Sequence, residues 1–102
     1  MPTVDKLIEE IYDLKMERAA IAREINEMEN LIISVTERVE ELLSHGPNAR
    51  GSKDWRDKYA RARDKRRAVR DQIADKRHAI HKIEAKIDTL ALQVEYSEDV
   101  GA

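Results

Sequence analysis

The chain has no cysteine and no phenylalanine, and only one tryptophan and three tyrosines. Without cysteine there are no disulfides and no thiolate metal centres, a composition that agrees with a reducing compartment. Aromatic residues at 4% and charged residues at 39% exclude a broad, thick core. Prolines number two and glycines three, so few places can break a helix. No apolar run approaches the ~20 residues of a membrane span. The opening Met1-Pro2-Thr3-Val4-Asp5 has neither a basic region nor an apolar block, so no signal peptide is expected. These absences point to a cytoplasmic, all-α protein with one domain over residues 1–102.

What the chain does contain is a heptad repeat. Apolar residues recur at alternating steps of three and four from Val4 through Leu7, Ile11, Leu14, Ile21, Ile25, Met28, Ile32, Val35 and Val39 to Leu42. Only Arg18 interrupts this run. A second run follows Trp55, Tyr59, Ala62, Arg66, Val69, Ile73, Lys76, Ile80, Ile83, Ile87, Leu90 and Val94. Such a period makes a narrow seam along a helix, and two seams bury each other as a coiled coil.

The boundaries follow from local chemistry. Thr3 is a candidate N-cap and Asp5 suits the positive helix end, so a first helix is expected over about 4–44. The stretch 45–52 holds the breakers, with Gly46 suited to a left-handed C-terminal cap and Pro47 unable to continue a helix. Ser52 can cap a second helix over about 53–96, and the tail 97–102 loses the period and should fray. Two long helices joined by a short loop fold most simply as an antiparallel hairpin.

Two pairing registers match the seams, with facing residue numbers summing to about 101 or about 94. The first sets Leu7 near Val94, Met28 near Ile73 and Leu42 near Tyr59, and places Trp55 as an apolar plug at the loop. It also aligns Lys15 with Glu84, Glu17 with Lys86 and Glu29 with Arg70. The second sets Arg18 against Lys76 inside the seam, where an unpaired buried charge is costly. The first register is therefore expected.

One seam per helix is a small core for a chain of this length. The first helix carries surplus apolar side chains, namely Ile8, Tyr12, Ala19, Ala22, Leu31, Ile33 and Leu43. Self-association into a homodimeric four-helix bundle would bury them. Ile8, Tyr12, Ala19, Leu31, Ile33 and Leu43 are thus the candidate oligomer interface.

Charge is uneven. Residues 1–48 carry five Lys/Arg against eleven Asp/Glu, whereas residues 49–102 carry fourteen against ten. Arg56, Arg63, Arg70 and Arg77 recur at sevens and so share one helix flank. With Arg50, Lys53 and Arg67 they form a candidate surface for phosphates of a nucleic acid or for an acidic protein. The competing expectation is that Glu29, Glu37, Glu40 and Glu41 of the first helix, or Asp57, Asp64 and Asp71 on the ladder's own helix, neutralise the ladder.

No constellation for catalysis is visible. His78, His81 and Glu84 follow a three-residue spacing, but the third turns away from the first, so no metal is expected. There is no phosphate-binding glycine loop and no nucleophile–base pair, and a two-helix coiled coil should offer no cavity of enzyme size. The expected function is a non-enzymatic coiled-coil interaction protein. It self-associates and binds a protein partner as adaptor, scaffold or inhibitor, without cofactor or membrane. The alternative is a nucleic-acid-binding hairpin that uses Arg50 to Arg77.

Overall fold

The structure, a computed structural model, describes residues 3–45 and 50–101, with side chains through Ser97. The expectations for Gly46 and Pro47 fall outside the described residues. Helix α1 spans Val4–Leu43 and helix α2 spans Lys53–Gly101, and no strand occurs among the described residues.

Both N-termini are capped as their sequences imply. Thr3 Oγ1 accepts the Lys6 N–H at 3.3 Å, and Ser52 Oγ accepts the Trp55 N–H at 3.1 Å. Each hydroxyl satisfies one of the donors that a helix start leaves without a partner, worth ~1 kcal/mol. Asp5 and Asp54 lie in the first turns, where the helix dipole favours an anion.

The end of α1 tightens before it stops. The Ser44 N–H is shared between Glu40 O and Glu41 O, and the His45 N–H donates to Leu42 O at 3.3 Å. The Ser44 hydroxyl donates to Glu41 O at 2.6 Å. The last turn of α1 contains no basic residue. Arg50 supplies the missing cation from beyond the loop, with its guanidinium donating to Leu43 O and to His45 O. This satisfies terminal carbonyls and complements the negative helix end.

Helix α2 does not end near Tyr96 but continues to Gly101. Loss of the heptad after Val94 removes seam packing, yet it leaves the backbone bonds of the helix intact, and no proline follows to break them.

The helices pack as two units. A terminal unit joins α1 up to Glu24 with α2 from Lys76, and a loop unit comprises Ile25–Asp75. In both, the core is the seam. Among the described residues every buried apolar one lies on it: Leu7, Ile83 and Ile87 in the terminal unit, and Ile25, Val35, Val39, Leu42, Val69 and Ile73 in the loop unit. All other seam residues are at least half-buried, including the interrupting Arg18, Arg66 and Lys76. Among the described residues no buried polar side-chain atom lacks a partner.

In the terminal unit the facing residues Glu24 and Lys76 sum to 100, close to the first of the two registers. There Lys76 Nζ leaves the seam sideways to meet Glu24 Oε2 at 2.6 Å. A long stem lets the ammonium reach a carboxylate at the flank while its methylenes stay in the seam. In the loop unit, the Trp55 Nε1–H donates to Leu42 O at 2.7 Å. That bond ties the first turn of α2 to the last turn of α1. The Trp55 ring stacks on Tyr59 with centroids 5.1 Å apart, which closes the end of the seam. The expected flank pairs Lys15–Glu84 and Glu17–Lys86 do not form ion pairs. Exposed pairs of this kind gain little, and ordering two long side chains offsets the gain.

Candidate functional site

The seam leaves a set of apolar side chains in water. Ile8, Tyr12, Leu31, Ile33 and Leu43 are all exposed, from 39% for Leu43 to 63% for Tyr12, and Ala19 is exposed as well. These are the six candidate interface residues, and none is buried within the chain. Met16, Leu92 and Tyr96 belong with them, with Tyr96 the most exposed at 72%. Met16 was legible, because it lies four residues after Tyr12 and so on the same helix face. Leu92 and Tyr96 share the four-residue spacing, but they lie where the seam of α2 is ending.

Within the terminal unit, Ile8, Tyr12, Met16 and Ala19 are spaced by four, four and three residues and form one exposed column on α1. A groove of about 590 Å³ also lies in this unit, lined by Glu10, Asp13, Leu14, Ala85, Lys86, Thr89 and Leu90. The expectation of no cavity of enzyme size is therefore corrected, since side-chain stubs between two helices can leave a furrow of ligand-sized volume. The groove's one hydroxyl is already engaged, with Thr89 Oγ1 donating to Ala85 O at 3.0 Å. Among the described residues no group of three His, Asp or Glu side chains is placed to hold a metal ion.

Within the loop unit, Leu31 and Ile33 lie on different flanks of α1. Leu31 helps line a groove of about 220 Å³ with Ser34, Val35, Arg38, Ala62 and Lys65. The unit also holds most of the candidate basic surface. Lys53, Arg56, Arg63, Arg67 and Arg70 are all exposed. Arg63, Arg66, Arg67 and Arg70 line a furrow of about 210 Å³ together with Asp71.

Of the acids expected to neutralise the ladder, Glu37, Glu40 and Glu41 of α1 do not reach this cluster, whereas Asp64 on α2 does. Glu41 pairs with Arg38 on its own helix at 3.1 Å, and Lys58 pairs with Asp54 at 3.1 Å. Arg63 approaches its neighbour Asp64 at 3.6 Å and lies 6.0 Å from the Tyr59 ring centroid. Among the described residues, Arg56, Arg67 and Arg70 have no ion-pair partner, and neither Glu37 nor Glu40 pairs with the ladder. Arg50 departs from the cluster because its guanidinium caps α1. Arg77 is exposed and belongs to the terminal unit.

No helix among the described residues is long and apolar enough to cross a membrane. Comparison with protein-family models, with curated proteins and with solved structures finds no match to this chain.

Proposed function

We propose that this is a non-enzymatic coiled-coil interaction protein that self-associates and engages a macromolecular partner as an adaptor, scaffold or inhibitor. One observation carries the reading. The seam is already filled along both helices, yet among the described residues eight large apolar side chains remain exposed. Scattered apolar residues need no explanation, but columns of them on a thin helical pair mark an interface. The proposed setting is the cytoplasm, in keeping with a cysteine-free chain. Sedimentation equilibrium over a rising concentration series tests the reading. The mass should climb to that of a dimer or a larger closed assembly. A monomer throughout would remove self-association, and pull-down partners would then have to account for the exposed faces.

A second reading has its own observation. Four arginines line one furrow in the loop unit, and the acids of α1 leave Arg56, Arg67 and Arg70 unpaired. Rows of free guanidinium groups suit the phosphates of a nucleic acid. Binding to short duplex DNA and RNA across a salt series is the test. Phosphate contacts require a steep loss of affinity with salt, and Gln at positions 56, 63 and 70 should abolish binding. Salt-independent or absent binding returns the cluster to a solvated surface.

A further inference from the structure

The exposed column of α1 in the terminal unit has charged ends of opposite sign. Read along one face, it runs Asp5, Ile8, Tyr12, Met16, Ala19, Arg23, with steps of three, four, four, three and four residues. All six side chains are exposed. Among the described residues, neither Asp5 nor Arg23 has an ion-pair or hydrogen-bond partner for its side chain.

This column is complementary to itself when reversed. Laid antiparallel on a second copy, Asp5 meets Arg23, Ile8 meets Ala19, and Tyr12 meets Met16. The numbers sum to 27 or 28 in every pair, so one two-fold axis close to residue 14 satisfies all of them. The larger Ile8 is set against the small Ala19, and the Tyr12 ring against the adaptable Met16 thioether, which suits close approach. The charge pair recurs at both ends, as two-fold symmetry demands. A parallel pairing would instead stack Asp5 on Asp5 and Arg23 on Arg23, which is unfavourable. A like-charge approach does remain in the antiparallel pair. Lys15 flanks the column near the axis in both copies, where its stem can carry the ammonium to solvent.

We propose that two copies associate through this column as an antiparallel, two-fold α1–α1 pair, with Asp5 of each copy on Arg23 of the other. The proposal rests on the self-association reading and specifies its surface and orientation.

The absence of native cysteine makes a crosslinking test unambiguous. Asp5→Cys and Arg23→Cys proteins are oxidised separately and as a mixture. Disulfide dimers should form in the mixture and not in either protein alone. Self-crosslinking of Asp5→Cys alone would mean a parallel pair and overturn the proposal. A second test uses charge. Asp5→Arg and Arg23→Asp should each raise the dimer dissociation constant about tenfold, because two attractive pairs become repulsive, and the double exchange should restore it.

Failure of the two claims is distinguishable. If wild-type protein stays monomeric, both the orientation and the self-association reading fall. If it dimerises but neither mixed crosslinking nor charge rescue occurs, only the column is wrong. Loss of the dimer in Leu92→Glu or Tyr96→Glu, with Tyr12→Glu unaffected, would then move the interface to α2.

Discussion

The two units are built from the same two helices and the same repeat, yet they spend their side chains differently. Among the described residues the loop unit holds six of the nine that are buried in the core, and the indole of Trp55 and the guanidinium of Arg50 both close on the end of α1. Among the described residues the terminal unit holds three core residues, and Lys76 pairs with Glu24 across its helices. It also exposes five of the eight large apolar side chains found in water among the described residues: Ile8, Tyr12, Met16, Leu92 and Tyr96. The difference teaches that the loop unit buries more of its own apolar surface, although Leu31, Ile33 and Leu43 stay exposed there. The terminal unit leaves Ile8, Tyr12, Met16, Leu92 and Tyr96 in water, the surface on which the proposed self-association draws.

The largest effect should come from opening the core where it is most closed. Leu42 is 1% exposed and Leu7 3%, so both lose similar contacts on truncation to alanine. Leu42→Ala should cost about 3 kcal/mol in urea unfolding, because the site is pinned by Trp55 and collapses poorly. Leu7→Ala should cost less, since the first turns of a helix can relax around the void. Equal losses would erase the contrast between the units.

Next comes Tyr12→Glu. A charge placed in the middle of the apolar column should weaken self-association by at least about tenfold, as expected for loss of a central anchor residue. The urea midpoint measured below the association threshold should stay unchanged. A large drop in that midpoint would make Tyr12 a folding residue instead.

Trp55→Phe keeps the ring stack on Tyr59 but removes the indole N–H. The Leu42 carbonyl then loses a donor, at a cost of about 1 kcal/mol. Unfolding followed by circular dichroism checks this. No change would mean that water replaces the indole.

Arg50→Ala should cost the least, about 0.5 kcal/mol, and the loss should shrink as salt screens the helix-end charge. A salt-independent loss would assign Arg50 a packing role.

The seam was legible in full because burial follows a strict three-four period. Even its half-buried cations, Arg18, Arg66 and Lys76, sit where the period places them. The caps Thr3 and Ser52 were legible because a hydroxyl just before an apolar run has one dominant use. Three features were not. The bonds from Arg50 to the end of α1 join residues that no heptad position relates, so spacing alone does not reveal them. The flank pairs Lys15–Glu84 and Glu17–Lys86 fit the register, yet exposed side chains are free to ignore it. The continuation of α2 to Gly101 was hidden by equating the end of the seam with the end of the helix. For the candidate site, the six apolar residues of α1 were legible as surplus over one seam. Met16 was missed, although its spacing from Tyr12 marks the face that organises the proposed pair.

The most direct test of the central claim is the mass of the purified protein in solution, by sedimentation equilibrium across concentration at low and high salt. The account predicts a dimer or larger closed assembly that persists at high salt, because burial of apolar columns is its main source of affinity. A monomer at every concentration, or an assembly that dissolves as salt rises, would contradict it.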